Sequence, residues 1–226
     1  MNVALILAGG IGNRLKSEVP KQYIPVGGRM VVTHCVERLL RHPMIDAVQI
    51  VAAEEWRDTL LAELSEDGKF RGFSAPGSTR QLSIYNGLLD VIGYAGGEDV
   101  VLIHDAARPC VTDKLITDCL NSISGHDGVL PVLPMTDTVY YSESGNRVDR
   151  LLRRDCIFAG QAPEAFRLGK YLEANRRLLP NQIVEINGST EPAILAGMDI
   201  VTIPGDKGNF KITTIEDLER YRELLR

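Results

Sequence analysis

Positive charge is scarce in this 226-residue sequence: 25 Lys and Arg face 30 Asp and Glu, a formal net charge of −5, and no basic run interrupts the balance. A chain built to neutralise a nucleic acid backbone needs the opposite, so any anion bound here must meet local cations. Cysteine is sparse as well. Cys35, Cys110, Cys119 and Cys156 contain no Cys-x-x-Cys pair, which argues against a zinc site or a disulfide framework and leaves free thiols as the expectation. No apolar stretch approaches the roughly 20 residues of a membrane span, and the run from Val3 to Leu7 is too short for a signal peptide. A cytoplasmic setting is therefore expected. Two nucleotide signatures are missing too: no Gly-Lys-Ser/Thr occurs, and Leu15 stands where a dinucleotide fingerprint needs its third glycine.

Apolar residues make up 44% and charged residues 24%, the balance of a globular protein, and the length suits one α/β domain spanning 1–226. Near-continuous apolar runs at 2–8, 47–53, 100–103 and 129–133 predict strands buried on both faces. Helical spacing at 31–41, 55–64 and 80–92 lies between them, which predicts an α/β fold with a doubly wound, mostly parallel sheet. Residues 138–157 break the alternation: Val139-Tyr140-Tyr141, a Ser144-Gly145-Asn146 turn and Val148 predict a polar hairpin projecting as an arm. Residues 211–214 read as β-rich, and a helix over 215–225 follows a Thr213-Thr214 cap.

The chemistry-bearing start is Leu7-Ala8-Gly9-Gly10-Ile11-Gly12-Asn13-Arg14, leading to Pro20-Lys21-Gln22-Tyr23. Glycines there let backbone N–H groups approach phosphate oxygens, and Arg14 and Lys21 supply the charge the whole chain lacks. A bare strand-to-helix turn is the bland alternative. His104 invites an acid–base role, but strand alternation sends it to the face opposite Asp105, so packing is expected. Cys110 has no evident base partner, and Ser83 lacks a Gly-x-Ser-x-Gly elbow.

These segments together resemble the CTP-dependent polyol phosphate cytidylyltransferases, a family that includes methylerythritol phosphate and ribitol-5-phosphate cytidylyltransferases. The resemblance rests on the glycine segment with Lys21, on Gly77-Ser78-Thr79-Arg80-Gln81-Leu82-Ser83 before Asn86-Gly87-Leu88, and on Ile103-His104-Asp105-Ala106-Ala107-Arg108-Pro109. Met135-Thr136-Asp137-Thr138, Arg154, Gly160-Gln161-Ala162-Pro163 and Gly208-Asn209-Phe210-Lys211-Ile212-Thr213-Thr214 extend it over nearly the whole chain. It implies a Rossmann-like fold of the nucleotide-diphospho-sugar transferase type and transfer of a cytidylyl group from CTP to a sugar-alcohol phosphate. By that resemblance Arg14, Lys21 and Lys211 are catalytic. Leu7, Ala8, Gly9, Gly10, Gly12, Gly77, Ser83, Asp105 and Ala106 join Arg14 and Lys21 around the nucleotide. Asp105, Arg108, Thr138, Arg154, Asn187 and Lys211 serve the acceptor, Asp105 sits at a Mg²⁺ ion, and the arm makes a homodimer by carrying Arg154 into a neighbour.

Two departures touch the acceptor side. The family commonly has Gln-Thr-Pro-Gln where this chain has Gln161-Ala162-Pro163-Glu164, and an ungapped match puts Asn187-Gly188 where relatives carry Thr-Asp. Ser189 or Thr190 is then a candidate replacement hydroxyl, and the changes imply a different polyol phosphate rather than a dead enzyme. The segment around Gly9-Gly10 and the one around Gly160 lean toward ribitol 5-phosphate as acceptor. The stretch from His104 to Pro109 leans toward methylerythritol phosphate. Ribitol 5-phosphate or a related compound is the expectation, methylerythritol 4-phosphate the alternative, and a non-catalytic nucleotide-binding module the remoter one.

Overall fold

An uncharged apolar segment does form the central strand. In the computed structural model, which describes residues 1–10, 19–64 and 68–226, β1 (Asn2–Leu7) is followed by the two-residue strands β2 (Pro25–Val26) and β3 (Arg29–Met30) and by α1 (Val31–Arg41). Next come β4 (Ala47–Val51), α2 (Glu54–Glu63), β5 (Phe70–Ser74), α3 (Arg80–Val91), β6 (Val100–Asp105), α4 (Asp113–Ser122) and β7 (Gly128–Pro134). β8 (Tyr140–Tyr141), β9 (Arg150–Leu151), β10 (Phe158–Gly160), β11 (Glu164–Arg167), α5 (Leu168–Arg176), α6 (Glu191–Leu195), β12 (Ile200–Pro204) and α7 (Ile215–Leu224) complete the order.

The main sheet has eight strands in the order β10-β7-β11-β6-β1-β4-β5, with β12 paired to β7. β1 runs parallel to β4 and β6, β4 to β5, and β12 to β7, while β10 and β11 run antiparallel. Alternation along the strands splits the core into two layers. Ala4, Ile6, Val48, Ile50 and Leu102 pack with residues of α1 and α4, and Val3, Leu5, Val51, Val101 and Ile103 with residues of α3 and α5. Each layer excludes water from one face of the sheet, the main stabilising term of a doubly wound fold. The α3 layer is tight: a Cβ on Gly87 would stand 2.6 Å from Leu5 Cδ1.

The expected strands and the helices α1, α2, α3 and α7 are present. A capping box at Thr214, reciprocated by Asp217, starts α7. Residues 211–214, expected to be β-rich, form no strand, and Ile212 N–H donates to Ala107 O at 2.8 Å. The expected arm is a hairpin in which Tyr140 pairs Leu151 and Tyr141 pairs Arg150. No helix among the described residues is long and apolar enough to cross a membrane.

Candidate active site

Register places the site. Leu7, last residue of β1, pairs Asp105, last residue of β6, so both stand at the carboxyl ends of parallel strands, where open α/β sheets bind ligands. A cleft of about 510 Å³ opens there. Its floor and walls come from three stretches of chain: Leu7, Gly9 and Gly10 with Lys21 and Gln22; Gly77 to Arg80 with Ser83; and Asp105, Ala107 and Lys211.

Two glycines are required by contact. A Cβ on Gly9 would stand 2.5 Å from Pro76 Cβ, and one on Gly77 would stand 2.4 Å from Leu82 Cβ and 2.9 Å from Ser83 N, so only glycine lets these turns meet. The first turn is held from below, where the buried Gln22 amide donates to Ala8 O at 2.6 Å and Gly10 O at 2.5 Å and Tyr23 Oη donates to Ala8 O at 2.9 Å. The second is fastened by Ser83, whose hydroxyl accepts from Gly77 N–H at 3.0 Å and donates to Thr79 O at 2.9 Å. Thr79 caps α3 by accepting from Leu82 N–H at 3.2 Å.

Asp105 organises the charge. Arg80 donates to its Oδ1 from Nη2 at 2.8 Å and Nε at 3.2 Å, Lys211 Nζ donates to Oδ2 at 2.9 Å, and Arg108 Nε lies 3.7 Å from Oδ2. Burial pushes the Asp105 carboxyl up, but Arg80 and Lys211 outweigh it and hold the group far below the usual carboxylate range. Burial lowers the Arg108 guanidinium against the pull of Asp105 and Glu164. Lys211 reaches the cleft because its segment is clamped. The Gln161 amide donates to Asp206 O at 2.9 Å and accepts from Asp206 N–H at 2.9 Å, Asn209 Nδ2 donates to Ala162 O at 2.7 Å, and Arg108 Nη1 donates to Asn209 O at 2.7 Å.

The arrangement is that of a cation-lined anion site bounded by close-approach glycines, and a family model for 2-C-methyl-D-erythritol 4-phosphate cytidylyltransferase (IspD) matches residues 2–226. The chain belongs to that family. Among relatives of this IspD-family chain, the "Bifunctional enzyme IspD/IspF" of Granulibacter bethesdensis is 35% identical over 220 residues, which are 96% of this chain and 54% of the relative. That of Rhodopseudomonas palustris is 36% identical over 223 residues, 98% of this chain and 55% of the relative. The chain thus spans about half the length of these curated relatives. The 2-C-methyl-D-erythritol 4-phosphate cytidylyltransferase structure of Francisella tularensis superposes with a TM-score of 0.82 at 27% identity, covering 100% of this chain and 99% of that one. The 4-diphosphocytidyl-2C-methyl-D-erythritol synthase of Anaerococcus prevotii gives 0.86 at 25% identity, covering 99% and 95%. The matched family corrects the acceptor expectation: the leaning toward ribitol 5-phosphate finds no support, and the methylerythritol alternative does.

Of the residues singled out in the sequence, Leu7, Gly9, Gly10, Lys21, Gly77, Ser83, Asp105 and Lys211 line the cleft. Ala8 and Ala106 are buried just beneath it, Ala106 N–H donating to Leu7 O at 3.1 Å. Gly12 and Arg14 lie outside the described residues. Asn187 is not brought in: it is exposed, its N–H bound to Glu191 Oε2 at 2.8 Å. The buried members of that segment are Ser189 and Thr190. Thr138 and Arg154 sit exposed on the arm and its return, outside the cleft lining, with Arg154 Nη1 on Thr136 O at 3.0 Å. His104 is fully buried, with Nε2 3.0 Å from Arg108 O, as strand alternation predicted.

Sequence reasoning gave no role to Gln22 or Arg80. The signals were a glutamine beside Lys21 and an arginine at the first position of a helix that begins at a glycine turn. The metal expectation changes as well. Asp105 is the cleft's carboxylate, both its oxygens are taken by cations, and no group of three His, Cys, Asp or Glu among the described residues could hold an ion. The described residues do not fit a resident Mg²⁺ site.

Proposed function

We propose that this chain transfers the cytidylyl group of CTP to 2-C-methyl-D-erythritol 4-phosphate and releases pyrophosphate. The observation that carries the reading is the convergence of Arg80 and Lys211 on Asp105 beside the two glycine turns, in a chain of the IspD family. A phosphate oxygen of the acceptor bonds to the α-phosphorus of CTP, and the bond to the bridging oxygen breaks as pyrophosphate departs. The attacking oxygen is already ionised near neutral pH, so no general base is required. Positioning and charge neutralisation do the work.

The turns at Gly9-Gly10 and Gly77 offer backbone N–H groups to the nucleotide, with Ser83 keeping the second turn in shape. Lys21 comes to the cleft with the first stretch of chain and Lys211 with the third, so that charge developing on the five-coordinate phosphorus would meet both cations, with Arg14 in the same role. Asp105 keeps Arg80 and Lys211 apart and in place until phosphates arrive. Magnesium enters as the ion of the nucleotide substrate. Arg108, beside Lys211, takes the acceptor phosphate.

The reading includes one domain over 1–226, a cytoplasmic setting in keeping with four free cysteines, and a homodimer. The arm exposes Tyr140, Val148 and Leu151, with Phe158 just beyond it, to 58%, 61%, 64% and 52%. Such a run of apolar side chains marks a contact surface, and Thr138 and Arg154 would meet the partner's acceptor there. The decisive experiment measures pyrophosphate release with each of four nucleoside triphosphates, Mg²⁺, and a panel of polyol phosphates. CTP with 2-C-methyl-D-erythritol 4-phosphate should dominate. Turnover confined to ribitol 5-phosphate, or CTP binding with no pyrophosphate from any acceptor, would refute the reading.

A further inference from the structure

Glu164 is a buried carboxylate just behind the cleft, and its contacts are hydroxyls. Ser189 Oγ donates to its Oε1 at 2.7 Å and Thr190 Oγ1 donates to its Oε2 at 3.0 Å. Residue 164 of the first departure therefore meets the two hydroxyls that follow the second. Glu164 pairs Ile103 across the β11 to β6 ladder, and Asp105 lies two residues beyond Ile103 on the same face, within the diagonal reach of neighbouring strands. Arg80 overlies that face. Among the groups that hold the Arg80 proton in place against burial, Asp105 comes first and Glu164 second.

The hydroxyls are also tied back to Arg80. Ser189 O accepts from Tyr171 Oη at 2.6 Å, Tyr171 Oη accepts from Gln81 Nε2 at 3.2 Å, and Gln81 follows Arg80 in α3. Each hydroxyl has one proton and uses it on Glu164, so Ser189 and Thr190 hold the acid rather than facing the cleft. A glutamine of the same shape could keep both contacts without the cost of a buried charge, accepting from one hydroxyl at its oxygen and donating to the other from its nitrogen. The negative charge must then act on the neighbouring cations, and those it reaches are Arg80 and Arg108.

We propose that Glu164 is a positioning residue for the acceptor side: with Ser189 and Thr190 it forms a buried unit that suspends Arg80 between two carboxylates and so fixes where the acceptor phosphate can stand. The inference deepens the proposed function and rests on it for the identity of the acceptor. Without the Glu164 charge, Arg80 answers to Asp105 alone and follows incoming phosphate instead of holding its place. Nucleotide binding is expected to persist, because Gly9, Gly10, Gly77 and Lys21 are untouched.

The test uses the full chain and the variants Glu164→Gln and Ser189→Ala with Thr190→Ala. Calorimetric titration gives the CTP Kd, steady-state assays give kcat and KM for 2-C-methyl-D-erythritol 4-phosphate, and nitrogen-15 NMR follows the Arg80 Nε–H signal with no acceptor present. In Glu164→Gln the acceptor kcat/KM should fall about tenfold, chiefly through KM, while the CTP Kd stays within about twofold. The Arg80 signal should exchange faster than in the parent. An unchanged Arg80 signal, or a parallel weakening of CTP and acceptor as in general loosening, overturns the inference. If Glu164→Gln does not fold, the double alanine variant, which keeps the acid and removes its holders, is read by the same criteria. A parent protein that releases no pyrophosphate with this acceptor would defeat the functional reading, and the Arg80 signal would still decide the positioning role.

Discussion

Replacing Asp105 with asparagine separates two accounts of this residue, a metal ligand and a counter-ion for the cleft's cations. The amide preserves shape and removes the charge that Arg80 meets at 2.8 Å and Lys211 at 2.9 Å, with Arg108 Nε 3.7 Å away. Removing one partner of a fully buried pair costs about 3–5 kcal/mol. Here the Arg80 and Lys211 side chains are 34% and 32% exposed, so water recovers part of that and a loss of about 2–3 kcal/mol is expected. For a chain of this size that corresponds to a fall in Tm of about 5–10 °C. Saturating CTP supplies negative charge to Lys211, so the deficit between variant and parent should shrink when nucleotide is present. Differential scanning calorimetry with and without CTP, in chelator throughout, reads both numbers. A variant that melts within about 1 °C of the parent without nucleotide, or a deficit that CTP leaves unchanged, would show that Asp105 is not the counter-ion.

Further outcomes follow from the same geometry. Gly77→Ala should abolish measurable CTP binding in calorimetric titration while the protein stays folded, because the new Cβ needs space held by Leu82 and the Ser83 backbone; normal affinity would mean that this turn is not part of the nucleotide site. His104, whose ionisation burial holds down at about 4, refuses a proton that the unfolded chain accepts near 6.5. Stability should therefore fall as pH drops through that window, by about 2 kcal/mol between pH 7.5 and 5 in urea titrations, and His104→Gln should flatten the slope. Arg154→Ala should lower acceptor kcat/KM at least about tenfold with the CTP Kd unchanged; normal turnover would remove the arm from the acceptor site. Lys211→Ala should lower kcat by about 10² or more, as expected of a cation placed at developing charge, in pyrophosphate-release assays.

Much of this fold could be read from residues alone, and the exceptions have physical causes. The runs that became β1, β4 and β6 are buried on both faces, so their apolar character is continuous and their direction follows from the helices between them. β11 was not legible: it has four residues, Glu164 and Arg167 at its ends, and an antiparallel place between β6 and β7 that only tertiary pairing decides. α6 spans five residues, too few for a period. α4 did carry a signal, in Leu115, Ile116, Cys119 and Leu120 behind a Thr112 cap. At the site, glycine turns and the Asp105 and Lys211 motifs announce themselves because close approach and charge restrict residue choice. Arg80 does not, since an arginine opening a helix usually faces water, and nothing local reveals that Glu164 lies against residues 25 and 26 positions onward.

The clamp that sets Lys211 against Asp105 joins groups 106 positions apart. A ribosome releases the amino end first, so the strands and both glycine turns are complete in sequence while that lysine is still unmade. Of the residues that line the cleft, Lys211 is therefore the last to be made.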